Sequence, residues 1–303
     1  MYSDSSIKKP QFCGTDRIYR VSDDITGQDL TSFANFSDLL IWRTSVQPEA
    51  NRFILLEKGK EIKMLNLKAL STRLLGLSQY FEKKGLESND HVLLILPPDL
   101  DFLMTVQTCI YQGLIPITTF NPHISELEEQ VLALIEIVQK TNPKAIIVNN
   151  ETEVFIKKIV SFLKNSKSKS LPKIEMPPLI NVKNSSAPKN SSEMIPNYNP
   201  RWQGRSTLAL ICSSFSDSNE LTLLKMGHDT IFSLCRQIKD FNKMNYSQMI
   251  LANCSPYCGL GLILHCFLGI YSGASTVIFP FHEVDLYPNL WLESISRHRG
   301  KNN

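Results

Sequence analysis

The stretch HVLLILPPDLDFLMTVQTCIYQGLIPITTF, residues 91–120, decides the fold class of this chain. It begins with an unbroken apolar run, His91–Pro97, which is typical of a strand buried on both faces. A segment with helical character follows and closes at Gly113, the usual residue at a helix C-terminus. A second apolar run, Ile115–Phe120, predicts another strand. Strand, helix and strand in this order predict a βαβ unit with a parallel pair.

The alternation of strands and helices continues on both sides of this unit. Downstream, an apolar-periodic helix begins at a capping box formed by Ser125 and Glu128, and a third buried strand follows at Lys144–Asn150. Upstream, two apolar runs around Lys58–Lys60 predict a hairpin that leads into a helix. The βαβαβ order of residues 90–150 predicts a doubly wound α/β sheet.

The pattern repeats after a change of composition. Residues 165–205 are rich in Lys, Ser, Asn and Pro, which predicts a long disordered insertion. Beyond it strands alternate with helices again, and the segment HDTIFSLCRQIKDF predicts a helix that begins at His228. We therefore predict an α/β protein of two doubly wound lobes, divided into a disordered leader at 1–30, a first lobe at 31–164, the insertion at 165–205 and a second, incomplete lobe at 206–303.

Composition excludes several classes of function. The chain has 303 residues, 43% hydrophobic and 20% charged, as in a soluble globular protein, and a net charge of +3 is too mild to indicate a nucleic-acid partner. The seven cysteines are scattered without zinc spacing, which favours reduced, buried thiols and no metal site. The first residues lack a signal peptide, so we expect a cytoplasmic protein. The apolar run Cys258–Ala274 is too short for a transmembrane segment.

The stretch ALICSSFSDSNELTLLKMGHDT, residues 209–230, is the candidate site. It predicts a strand, a polar loop and a helix, which is a common layout for phosphate binding. A phosphate cradle uses glycines and a lysine, whereas here the loop has no glycine, and Asp217 and Glu220 would repel phosphate. By physics alone it is either a phosphate loop or a surface turn. The candidate site residues in this stretch are Ser213, Ser214, Ser216, Ser218, Thr222, Lys225 and His228.

Two blocks of sequence carry a resemblance to a known family. NDHVLLILPPDLDFLMTVQTCIYQGLIPITTFNP resembles the first block of the adenylate-forming superfamily, the AMP-binding acyl-CoA synthetases and fatty acyl-AMP ligases. SPYCGLGLILHCFLGIYSGASTVIFPFHEVDLYPNLWLESISRHR is similar to the disco-interacting protein 2 branch. The resemblance runs from about residue 30 to 299 and implies the N-terminal part of an adenylate-forming domain, truncated, with ATP and Mg²⁺ as the family's cofactors.

The resemblance also places the candidate site. The family's phosphate loop reads TSGTTGxPKG before a helix that carries a His, and His228 matches that His. Counting back, Thr222 lies where the family has Lys and Leu223 where it has Gly. After Pro256 and Tyr257 the acyl-AMP ligases have a His, and this chain has Cys258. The resemblance implies an acyl pocket around Tyr257, Cys258, Gly259 and Gly261.

These departures favour a non-catalytic protein. The family's adenine-binding segment, ribose-binding Asp and catalytic Lys all lie beyond the equivalent of residue 299, so we expect no cofactor and no turnover from this chain. The resemblance implies a link to lipid and fatty-acid metabolism, with a fatty acyl lipid or a protein partner covering the truncated face. The alternative is an active ATP-dependent acyl-adenylating enzyme that works with missing or partner segments.

Overall fold

The computed structural model describes residues 24, 26–49, 52–58, 60–121, 127–165, 175–186, 204–216, 220–278, 287 and 289–299. The strands are β1 (Arg52–Glu57), β2 (Lys60–Asn66), β3 (His91–Ile95), β4 (Ile115–Thr118), β5 (Ala145–Val148), β6 (Leu179–Asn181), β7 (Leu208–Phe215), β8 (Leu221–Gly227), β9 (Met249–Ala252) and β10 (Ser275–Ile278). The helices are α1 (Phe36–Val46), α2 (Leu67–Lys83), α3 (Leu100–Gln112), α4 (Leu127–Thr141), α5 (Asn150–Asn165), α6 (His228–Phe241), α7 and α8 (Asn289–Arg299). Helix α7 runs through Gly259–Leu262, a π-helical turn at Ile263–Phe267, and Leu268–Ser272.

The βαβ unit that opened the sequence forms as predicted. Strand β3 lies between β4 and β5 and is parallel to both. Asp99 caps α3, because its side chain accepts hydrogen bonds from the amides of Asp101 and Phe102 at 2.8 and 3.2 Å. Gly113 ends the helix with φ 76°, a left-handed conformation that favours glycine. The chain then turns directly into β4.

Helices cover both faces of the larger sheet, whose strand order is β6-β5-β3-β4-β7-β8. Alternate residues of β3 point to opposite sides, as the period of a strand requires. Val92 and Leu94 join the main core, which includes residues of α1, α2, α3, α6 and α7. Leu93 and Ile95 join a second core built with α4 and α5. The sheet is therefore doubly wound, and the α/β fold class is confirmed.

The smaller sheet corrects the predicted division into successive lobes. Its order is β2-β1-β10-β9, so a hairpin from before residue 165 pairs with strands from the end of the chain. Phe53 of β1 lies opposite Thr276 of β10 in a parallel pair. Conversely, β7 and β8 follow the insertion but extend the first sheet through the β4–β7 pair. The two sheets interleave along the sequence, and the boundary predicted at 165–205 does not separate them.

The predicted disorder of residues 165–205 is wrong for residues 175–186. Leu179–Asn181 form β6, which pairs in parallel with β5 at the edge of the larger sheet. Ile180 and Val182 are buried, and the Nζ atom of Lys183 lies 2.5 Å from Oδ2 of Asp101. Apolar side chains and one ion pair therefore hold this part of the segment. The rest of the predicted insertion, 166–174 and 187–203, lies outside the described residues, as does Ser125 of the predicted capping box.

The described end of the predicted leader is packed as well. Asp24 is buried, and Oδ1 of its carboxylate lies 2.6 Å from Nη1 of Arg43 in α1. The guanidinium of Arg43, itself fully buried, also donates to the carbonyl oxygens of Ile270 and Tyr271 at 3.0 and 2.7 Å. These are carbonyls near the C-terminus of α7, where a cation is favoured. The prediction of a disordered leader is therefore wrong at Asp24 and Leu30, which are both buried.

Within the described part of the chain, no helix is both long enough and apolar enough to cross a membrane. The glycine-rich segment is instead α7, whose side chains lie mainly in the core.

Candidate functional site

The candidate phosphate loop is a β-hairpin, which corrects the predicted strand, loop and helix. Strand β7 extends to Phe215, and β8 returns antiparallel to it, with Ser214 opposite Thr222 and Phe215 opposite Leu221. Ser213 and Ser214 therefore lie within a strand. The alternation of Leu221, Thr222 and Leu223 is a period-two signal that would have revealed β8 from the sequence.

The described residues at the tip of the hairpin bond to each other. The amide of Ser216 donates to the carbonyl oxygen of Glu220 at 3.1 Å, and the amide of Glu220 donates to Oγ of Ser216 at 3.2 Å. Residues 217–219, which include Ser218 and Asp217, lie outside the described part. A phosphate cradle needs amides that point into a shared concavity, whereas these two amides point at the chain's own oxygens.

The hairpin offers no substitute for the lysine that the resemblance places at position 222. Thr222 is exposed and lies on the same sheet face as Leu224. Lys225 is three residues further along, so strand alternation turns it to the opposite face, together with Leu221 and Leu223. The two positions cannot serve one ligand from the same side of β8.

His228 begins α6 and is buried, with 1% of its surface exposed. Its Nδ1 accepts a hydrogen bond from the amide of Phe36 at 3.2 Å, which joins the starts of α1 and α6. Burial lowers the pKa of His228 to about 4, and Asp229 partly opposes this, so the ring is neutral near pH 7. The side chain therefore joins the packing of the two helices.

The N-terminus of α6 is likewise engaged. A helix start can hold an anion through its unpaired amides. Here the amide of His228 donates to the carbonyl oxygen of Thr207 at 3.2 Å, and the amide of Asp229 to that of Arg205 at 2.9 Å. Asp229 also adds a negative charge to the first turn. Hairpin and helix together do not fit a triphosphate in the way the resemblance implies.

Tyr257 is buried at the carboxyl ends of β3 and β4. In doubly wound folds ligands usually bind beyond the carboxyl ends of the strands. The hydroxyl of Tyr257 donates to the carbonyl oxygen of Leu96 at 3.0 Å, and its ring packs edge-on against Phe102. Its own carbonyl accepts from Oγ1 of Thr118 at 2.5 Å. Burial raises the pKa of Tyr257, followed by a contribution from Asp99.

The remaining residues of the predicted acyl pocket shape the start of α7. Cys258 is half-buried at the N-cap, and Gly259 has φ 54°. A Cβ atom on Gly261 would lie 1.8 Å from the carbonyl oxygen of Ser255, so this glycine allows a close backbone approach. The structure thus brings Tyr257, Cys258, Gly259 and Gly261 together at the start of α7. The turn that they form packs against the ends of the strands.

Two further polar groups lie at this end of the sheet: Ser213, which was a predicted site residue, and Asp99, which sequence reasoning missed. Oγ of Ser213 donates to the carbonyl oxygen of Thr118 at 3.0 Å, which ties β7 to β4. Asp99 is half-buried beside Asp101, and burial followed by that neighbouring charge raises its pKa to about 6. The sequence signal was the Asp-Leu-Asp run after Pro98, which marked a helix cap. Among the described residues, no three His, Cys, Asp or Glu side chains form a metal-binding group.

The fold is that of an α/β domain with a doubly wound six-stranded sheet and a second, four-stranded sheet. The sequence model of the family described as AMP-binding enzyme matches residues 42–301, so the chain belongs to that family. Disco-interacting protein 2 from Drosophila melanogaster is 28% identical over 86% of this chain, and disco-interacting protein 2 homolog A from Mus musculus is 28% identical over 89%. The homeostatic regulator of DAG from Saccharomyces cerevisiae is 22% identical over 69%. This chain covers 14%, 17% and 13% of these proteins.

Solved structures show the same fold. The fatty acyl-adenylate ligase from L. pneumophila in complex with acyl adenylate and pyrophosphate has a TM-score of 0.71 and 19% identity, over 90% of this chain and 44% of that one. An adenylation domain of a keto acid-selecting NRPS module bound to keto acyl adenylate has a TM-score of 0.74 and 12% identity, over 92% and 47%. The chain therefore corresponds to a little under half of an adenylate-forming domain.

Proposed function

We propose that this chain is a non-catalytic member of the AMP-binding family that acts in acyl-lipid metabolism. The observation that carries the proposal is the β7–β8 hairpin. It has Thr222 where the family's lysine stands, and it turns Lys225 to the other face. Acyl adenylation needs a positioned triphosphate whose charge is balanced, and these residues supply neither.

The lipid part of the proposal rests on relatives. One relative is named as a regulator of DAG, and a solved structure with the same fold is a fatty acyl-adenylate ligase. A fatty acyl lipid is accordingly the ligand class that we propose for this chain. The runner-up function is ATP-dependent acyl adenylation, favoured by the shared fold with a ligase that holds an acyl adenylate.

The binding of ATP separates the two functions. We expect titration calorimetry of the chain with ATP and Mg²⁺ to show no saturable binding in the micromolar range. We expect the Lys225→Gln variant to give the same result, with Lys243→Gln on a distant turn as the matched control. Saturable binding that Lys225→Gln abolishes and Lys243→Gln preserves would show that Lys225 serves the phosphate and would favour the runner-up.

A further inference from the structure

A cleft of about 280 Å³ lies away from the hairpin, where β2, α2, α3 and the segment after β6 meet. Its walls carry three cationic side chains, Lys63, Arg73 and Lys183, and one carboxylate, Asp101. Its apolar lining comes from Leu77, Met104 and Val182, which are all buried. None of the residues lining this cleft belongs to the hairpin or to the start of α7.

The cations of the cleft are only partly neutralised. Asp101 is engaged by Lys183, with Nζ and Oδ2 2.5 Å apart. Within the described part of the chain, the side chains of Lys63 and Arg73 have neither a hydrogen bond nor an ion pair. The four charged groups therefore leave the cleft with an excess of two positive charges. A charge of that size, gathered from separate elements around an apolar floor, is complementary to an anionic ligand.

We propose that this cleft binds a phosphate monoester group attached to a small apolar moiety. A phosphate monoester carries about −1.5 to −2 charges near pH 7, which matches the excess of positive charge, whereas a carboxylate supplies half as much. Arg73 presents a planar guanidinium that can donate two parallel hydrogen bonds to phosphate oxygens. Leu77, Met104 and Val182 line the space for the apolar moiety. This site is independent of the proposed loss of catalysis at the hairpin.

The phosphate group can come from a soluble ester or from a lipid headgroup, and two probes distinguish these sources. Phenyl phosphate supplies a soluble monoester with an apolar ring, and benzoate supplies the same ring with a single charge. Vesicles of phosphatidylcholine with about 20% phosphatidic acid present the group on a membrane. We expect phenyl phosphate to bind about tenfold more tightly than benzoate in titration calorimetry, and the binding to weaken with salt.

Variants connect the binding to the cleft. We expect the double variant Lys63→Gln with Arg73→Gln to weaken phenyl phosphate binding by on the order of tenfold to a hundredfold, because both charge-assisted contacts are lost. Lys68→Gln is the matched control, since Lys68 lies exposed on α2 but outside the cleft, and it should leave the affinity unchanged. Asp101→Asn should tighten binding by about threefold, because it removes the opposing charge and releases Lys183.

The outcomes decide the proposal. Binding of phenyl phosphate without binding to vesicles assigns a soluble ester, and vesicle binding that the double variant abolishes assigns a lipid headgroup. Absence of binding to both probes overturns the proposal. Binding that the double variant leaves unchanged, while its melting curve matches that of the parent chain, overturns it as well, as does benzoate binding as tight as that of phenyl phosphate.

Discussion

At the scale of single residues, buried polar side chains connect parts of the chain that are distant in sequence. Arg43 reaches the carbonyl oxygen of Ile270, 227 positions away, and His228 accepts from the amide of Phe36, 192 positions away. The sequence identifies His228 as a helix start and as the match to the family's His, and it contains no signal for Arg43. Such roles depend on contacts between residues that are distant in the sequence, and neither the residue type nor the local pattern predicts these contacts.

Removal of the Arg43 side chain should destabilise the whole protein. Arg43→Met leaves Asp24 buried without its cation and leaves two carbonyl groups near the end of α7 without a donor. We expect a loss of about 3 to 5 kcal/mol in the free energy of unfolding, measured by urea denaturation. The control is Arg236→Met in the exposed pair with Asp240, which should change it by less than about 1 kcal/mol. Equal effects of the two variants would contradict the structural role of Arg43.

Two of the described histidines, His228 and His265, are buried and should make stability depend on pH. Burial lowers the pKa of both His228 and His265 to about 4 from an ordinary value of 6.5, so the unfolded chain binds protons more readily than the folded one. Stability is therefore full above about pH 6.5 and falls as the pH drops toward 4. Asp99 has the opposite effect on stability. Its pKa is raised to about 6 in the folded protein, so the folded state binds a proton at a higher pH than the unfolded chain does, and this contribution grows as the pH falls.

A variant separates the histidine contribution from that of Asp99. His228→Asn keeps an acceptor for the amide of Phe36 but does not titrate. We expect the stability advantage of the parent chain over this variant to shrink by on the order of 1 to 3 kcal/mol from about pH 7 to about pH 4.5, measured by urea denaturation. A difference that stays constant over this range would show that His228 has an ordinary pKa in the folded protein.

At the scale of elements, the sequence pattern predicts those helices and strands whose signals are local. The βαβ unit, β5 and α6 were found from apolar runs, helical periodicity and glycine ends. The composition of the segment, dominated by the serines before β8, predicts a loop where the structure has this strand. Strand β6 has only three residues and lies in a Lys- and Pro-rich region, so its pairing with β5 depends on a neighbour that composition does not show.

The edge strand β6 should contribute measurably to stability. Ile180 is 4% exposed, and its side chain joins the main core. We expect Ile180→Ala to lower the free energy of unfolding by about 2 to 4 kcal/mol, since burial is lost and a cavity remains. Glu175→Ala, an exposed position just before the strand, should have almost no effect. If the two variants unfolded at the same urea concentration, residues 175–186 would not be packed as described.

At the scale of the whole molecule, the interleaved sheets are the main departure from expectation. The sequence predicted two lobes on either side of an insertion, and the α/β class was right. The division was wrong because β1 pairs with β10 and β4 pairs with β7, which joins the two halves of the chain in both sheets. Membership of the AMP-binding family follows from the match over residues 42–301, and the resemblance had placed the hairpin at the family's phosphate loop.

The site was predicted only in part, because its contacts join residues that are distant in the sequence. The position of Thr222 relative to His228 could be counted from the sequence. The burial of His228, the burial of Tyr257 and the engaged amides of α6 are consequences of packing. Each of these contacts supports the proposal that the hairpin no longer serves adenylation.

ATP–pyrophosphate exchange with palmitate tests that proposal most directly. The chain is incubated with ATP, Mg²⁺, palmitate and labelled pyrophosphate, beside the L. pneumophila fatty acyl-adenylate ligase as an active reference. We predict no label in ATP above the protein-free blank, because Thr222 stands at the lysine position and the described amides at the hairpin tip, those of Ser216 and Glu220, bond to the chain's own oxygens. Exchange that depends on palmitate and saturates with ATP would contradict the account and establish an active acyl-adenylating enzyme.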